Sequence, residues 1–146
     1  CQQITRLVEA VSREAKKIKP NIKISAAVFG SYPECRESVG QDWVSWVKGG
    51  YLDFVCPMDY AISDMEFSNL VSNQLKLIEG RIPMYPGIGA WRLGTADRVV
   101  GQIHCARQLG AAGFTVFNLD EGAAKTLLPG IGLGAGSQRA VPPHRK

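Results

Sequence analysis

One period constrains this chain more than any other feature. Apolar runs of strand length begin at Ile24, Phe54, Met84 and Phe114, each 30 residues after the last, and helical patterns lie between them. Ile4, Leu7, Val8, Val11, Ala15 and Ile18 line the first helix; Lys16, Lys17 and Lys19 suit its negative C-terminal end, and Pro20-Asn21 stops it. Trp43, Val44 and Val47 mark the inner side of a second helix over 41–48, ended by Gly49-Gly50. Ser63 and Glu66 form a capping box ahead of Phe67, Leu70, Val71, Leu75 and Ile78. Thr95 caps a last helix carrying Val99, Val100, Ile103, Ala106 and Leu109, with Gly110 at its end.

Strands separated by helices cannot pair as hairpins, so they run parallel with right-handed crossovers. The fold class is therefore α/β: four parallel strands alternating with helices, half of a TIM-type (β/α)8 barrel. A small doubly wound sheet is the alternative. That fold carries a glycine-rich phosphate loop after an early strand, and Phe29 to Pro33 is not one. The half-barrel is expected over 1–128. Residues 129–146 read as a Gly/Pro-rich basic tail, flexible or loosely docked, ending at Pro142-Pro143.

Composition excludes several classes. With 45% hydrophobic residues the chain can bury a core, and no run of 18 or more apolar residues is present to span a membrane. The net charge of +4 resides in Lys125, Arg139, Arg145 and Lys146, because the remaining cations balance all 13 acids. Without a basic face, no nucleic-acid partner is expected. Cys1, Cys35, Cys56 and Cys105 are far apart and only His104 and His144 accompany them, so neither a metal nor a cofactor is expected. Cys56 and Cys105 read as small buried hydrophobes. Cys1 allows either the acylated first residue of a lipoprotein or a cut edge.

Parallel α/β folds place their chemistry at the C-terminal ends of the strands. Those ends carry Ser31 and Tyr32, then Asp59 and Tyr60, then Trp91 and Arg92, then Asn118, Asp120 and Glu121. Acids, an amide, aromatics and an arginine on one rim suit a sugar, whose hydroxyls take polar hydrogen bonds and whose C–H face packs on rings. Glycosidic hydrolysis needs two carboxyl groups, and Asp59 and Asp120 are the candidate catalytic pair. Tyr32, Tyr60, Trp91, Arg92, Asn118 and Glu121 are the candidate substrate contacts. For Asp59 the competing role is to cap the structure led by Ser63 or to bind loop amides; for Asp120 and Glu121 it is to serve as N-cap and first-turn acids of a helix. Strand alternation assigns Phe117 and Leu119 to the helix side, turns Tyr60 inward and turns Asp59 outward. A phosphate site near Gly87 and Gly89 is a further alternative, without a glycine-rich anion nest to support it.

The runs Ser38 to Trp46, Gly50 to Tyr60, Tyr85 to Gly89 and Gly113 to Asn118 together resemble the C-terminal half of the glycosyl-hydrolase-like family ten barrel. That bacterial group is distantly similar to the α-amylase superfamily. The resemblance implies that the four strands are the fifth to eighth of a barrel that hydrolyses glycosidic bonds, with bacterial cell-wall glycan as the substrate class. It also implies an exported, periplasmic or lipid-anchored protein. Asp59 and Asp120 match strand-end site positions, whereas the family's paired aspartates on the fourth strand have no counterpart among these residues. The partners implied are a polysaccharide or oligosaccharide, and either the missing N-terminal half of the barrel or a second half-barrel. A non-catalytic carbohydrate-binding half-barrel is the alternative function.

Overall fold

A computed structural model of the chain describes residues 1–140. Helix α1 (Gln2–Ile18) ends at Lys19, where the backbone turns extended ahead of Pro20. Strand β1 (Ser25–Phe29) is followed by α2 (Glu34–Ser38), a short helix in the loop the sequence marked only as polar, and by α3 (Trp43–Lys48). The α3 exit uses Gly50 in a left-handed conformation, which glycine adopts without steric cost. Strand β2 (Phe54–Met58) leads to α4 (Asp64–Ile78), whose Ser63 Oγ accepts the Glu66 N–H at 3.4 Å, as the capping pattern requires. Strand β3 (Gly87–Gly89), α5 (Ala90–Leu93), α6 (Ala96–Gln108), strand β4 (Thr115–Phe117), α7 (Glu121–Thr126) and α8 (Leu128–Leu133) complete the order.

All strand pairs are parallel. β1 and β2 align from Ser25↔Phe54 to Phe29↔Met58, and β3 and β4 from Gly87↔Thr115 to Gly89↔Phe117. The two pairs meet at one parallel bridge, Val55↔Met84, where the Tyr85 N–H donates to the Val55 carbonyl at 2.9 Å. β3 is shorter than the expected run from Met84, because Pro83 and Pro86 have no N–H to give to a ladder. The fold is thus mixed α/β with four parallel strands, consistent with part of an α/β barrel.

The helices cover one face of the strands. Val28, Val55 and Ile88 point into a core built with Trp43 and Val47 of α3, Phe67, Val71 and Ile78 of α4, and Val99, Ile103 and Ala106 of α6. The opposite face carries Phe29, Cys56, Met58, Thr115 and Phe117 and is largely open, with Phe29 49% and Phe117 50% exposed. Phe117 therefore stands on the open side and Val116 on the helix side, reversing the expected phase. An aromatic layer on the open face defeats the assumption that the larger apolar residue faces the helices.

Two other expectations change. α1 has the expected span, but Leu7 (63%), Val11 (51%) and Ile18 (87%) are exposed. The buried side is marked by Ser12 and by Thr5, whose hydroxyl accepts the Trp46 indole N–H at 3.0 Å. Among the described residues α1 packs mainly on α3, so one wall meets most of a stripe wide enough for two. The described part of the expected tail, meanwhile, is docked. Ile131 and Ala135 are buried, the Arg107 guanidinium donates to the Ala135 carbonyl at 2.7 Å, and Gly130 allows a close approach where a Cβ would lie 2.6 Å from that of Ala96. Pro142-Pro143 lies outside the described residues.

Candidate functional site

Two adjoining regions lie at the strand ends. Beyond β1 and β2 is a cleft of about 360 Å³ lined by residues that include Phe29, Ser31, Glu34, Tyr60, Glu66 and Arg92. Beyond β3 and β4 is a smaller hollow of about 190 Å³ whose walls include Trp91, Asn118 and Asp120. Tyr60 joins the two through an aromatic cluster. Its ring meets Trp91 edge-on at 4.8 Å between centroids and stacks on Phe117 at 5.5 Å, while Trp91 meets Phe117 edge-on at 5.5 Å. Gly89 makes room for this packing, since a Cβ there would lie 3.0 Å from both the Trp91 ring and Tyr60 Cβ. Arg92 is held beside the cluster by donating to the Tyr60 carbonyl at 2.6 Å.

The two predicted catalytic carboxylates have opposite environments. Asp59 is 0% exposed beneath α4, where its Oδ1 accepts from Gln74 Nε2 at 2.6 Å and its Oδ2 has no partner among the described residues. Burial pushes its acid up to about 7, with the Gln74 hydrogen bond opposing the rise. It turns away from the open face, to the side that Val55 and Pro57 of β2 bury, and does not reach the rim. Asp120 is exposed and accepts the Ala123 N–H at 2.8 Å as the N-cap of α7, with the Asn118 amide 3.5 Å from its other oxygen. The cap uses one carboxylate oxygen and leaves the side chain at the hollow.

The remaining candidates divide similarly. Tyr60, Trp91, Arg92 and Asn118 gather around the aromatic cluster and the hollow. Burial, then the nearby Asp59, holds the Tyr60 phenol above its usual range. Tyr32 instead donates to Asp42 Oδ1 at 2.9 Å and packs edge-on against Trp43, so its hydroxyl is committed to the base of α3. Glu121 pairs with Lys125 one helical turn on, in full solvent. Sequence reasoning missed Phe117 as a ring of the aromatic cluster, Glu34 and Glu66 as cleft carboxylates, and Gln74 as the partner of Asp59. Gln74 had a signal: it falls on the buried stripe of α4 between Val71 and Ile78, where a polar residue demands a partner.

Among the described residues no three His, Cys, Asp or Glu side chains gather to hold a metal, and no helix is long and apolar enough to cross a membrane. The sequence profile of the family described as Glycosyl hydrolase-like 10 matches residues 1–99. The chain belongs to that family. The match takes in β1 to β3, the β1–β2 cleft, Trp91 and Arg92; β4 and Asp120 lie beyond it. No curated protein matches the chain. Membership in this glycosyl hydrolase-like family implies a carbohydrate as the class of substrate.

Proposed function

We propose that the chain is part of a glycoside hydrolase barrel that cleaves glycosidic bonds of a polysaccharide, with bacterial cell-wall glycan as the substrate. The observation that carries this reading is the exposed Tyr60–Trp91–Phe117 cluster at the strand ends, with Trp91, Asn118 and Asp120 around one hollow. Rings of this kind receive the C–H face of a sugar while the amide and carboxylate take its hydroxyls. Four parallel strands with an uncovered inner face fit half of a barrel, completed by the other half or by a second half-barrel that covers Phe29 and Phe117. An exported or lipid-anchored protein meets such a substrate.

In this reading Asp120 is the catalytic carboxylate that this half supplies, and Glu34 and Glu66 stand on the neighbouring cleft wall. A second reading, a carbohydrate-binding half-barrel without catalysis, is favoured by one observation: Asp59 is buried, which leaves Asp120 without the expected partner. Assays of the longer barrel-bearing protein on peptidoglycan strands decide between them. Hydrolysis that falls at least about a hundredfold in Asp120→Asn supports the enzyme. Glycan retention on a column without cleavage supports the binding module.

A further inference from the structure

The chain turns sharply just beyond β2. The Asp59 N–H donates to the Pro57 carbonyl at 3.1 Å and the Ala61 N–H to the Asp59 carbonyl at 2.8 Å. This turn buries the Asp59 side chain while its neighbour Tyr60 lines the cleft. The amide that donates to Asp59 Oδ1 at 2.6 Å also donates to the carbonyl of Gly30, at the end of β1, at 3.0 Å. Gly30 is closely packed: a Cβ there would lie 2.3 Å from Asp59 Oδ1. Gln74 thus bridges two strand ends that both border the cleft.

No cation among the described residues pairs with Asp59. β1 presents Gly30 to it and α4 presents Gln74, while the charged Asp64, Glu66 and Lys76 of α4 are exposed. α6 reaches the adjoining Ala61 carbonyl with the neutral Gln102 amide, at 3.0 Å. Along its own segment the titratable neighbours are Cys56 of β2 and Tyr60 just beyond it, and burial pushes both further above their ordinary range, so neither supplies a charge. An ionised carboxylate in these surroundings has one donor and no countercharge, whereas a neutral acid keeps that acceptor and needs none.

We propose that Asp59 is a positioning residue that works as an uncharged acid: with Gln74 it ties the end of β1 to the end of β2 and sets the floor of the cleft beside Tyr60. The tie rests on the glycan-site reading only for what the cleft binds. Since burial raises the Asp59 acid to about 7, the buried carboxyl stays neutral under mildly acidic conditions; above neutrality the ionised carboxylate, although a stronger acceptor for Gln74, is drawn toward water, and this loss of burial works against the tie.

The test is NMR titration of the protein labelled with 13C at aspartate side chains and 15N at amides, beside Asp59→Asn. The Asp59 carboxyl carbon should report a neutral acid at pH 5.5 and titrate with a midpoint near 7. The amides of Gly30, Ser31, Tyr60 and Ala61 should shift with that midpoint in the wild type and stay still in Asp59→Asn. A carboxyl that titrates near 4, or the same amide shifts in the variant, overturns the tie. The wild-type carboxyl signal decides even where the variant does not fold. Binding of N-acetylglucosamine tetrasaccharide is scored separately: no binding at any pH, with the titration intact, overturns the glycan reading and leaves the tie standing.

Discussion

The β1–β2 end and the β3–β4 end of this fold each follow a strand with an aspartate, and the two aspartates behave oppositely. Asp59 goes under α4 to an amide and loses contact with solvent; Asp120 stays in water and caps α7. The difference comes from what lies behind each strand. Behind β2, α4 runs for 15 residues and carries a buried polar side chain at the height of the strand end. Behind β4, α7 has six residues and buries none of them. A strand-end acid is therefore not a site by position alone: the helix behind it decides whether it serves the fold or the rim.

The sharpest way to break this contrast is pH. The Asp59 acid is raised from its unfolded range near 4 to about 7 in the folded chain, so the unfolded state loses its proton first as pH rises. Its neutral form contributes full stability below pH 4, and that contribution declines until pH 7. Wild type relative to Asp59→Asn should lose about 4 kcal/mol across this window, read by urea unfolding at a series of pH values. Equal pH dependence in the two proteins breaks the contrast.

A smaller effect is expected at the other end. Gly89→Ala pushes a methyl against Trp91 and Tyr60 and should cost about 1–3 kcal/mol in stability by denaturant melts, with a change in tryptophan fluorescence. Trp91→Ala removes a half-exposed ring, so glycan affinity measured by calorimetry should fall about tenfold with little change in stability. Smallest in stability is the cap. Asp120→Ala should cost about 1 kcal/mol, while Asp120→Asn keeps the acceptor and loses a few tenths at most. Asp120→Asn thus separates the capping role from any catalytic one, because hydrolysis should still collapse.

Much of this architecture is legible in the residues. Helix α1 follows from its periodicity and Pro20, α4 from Ser63 and Glu66, and the parallel order from alternation at a fixed period. What escaped reading depends on partners distant in sequence. Asp59 is buried because Gln74, 15 residues later, and Gly30, at the end of another strand, close around it. Those two residues are nonetheless visible as a polar residue on an apolar stripe and a glycine ending a strand, and Gln102 repeats the signal between Val99 and Ile103 on α6. Phe117 was misassigned because hydrophobicity alone does not distinguish a core residue from a ring on an open face. The exposed Leu7 and Ile18 of α1 follow the same logic, since the periodicity gives a stripe and not the number of walls that meet it.

The most direct test of the division between the two strand ends is calorimetric titration of wild type, Trp91→Ala and Asp59→Asn with N-acetylglucosamine tetrasaccharide at pH 5.5. The account predicts that Trp91→Ala weakens binding about tenfold and that Asp59→Asn, still an uncharged acceptor for Gln74, binds as the wild type does. Loss of binding in Asp59→Asn with full binding in Trp91→Ala would contradict it, and would place the sugar against the aspartate that the fold buries.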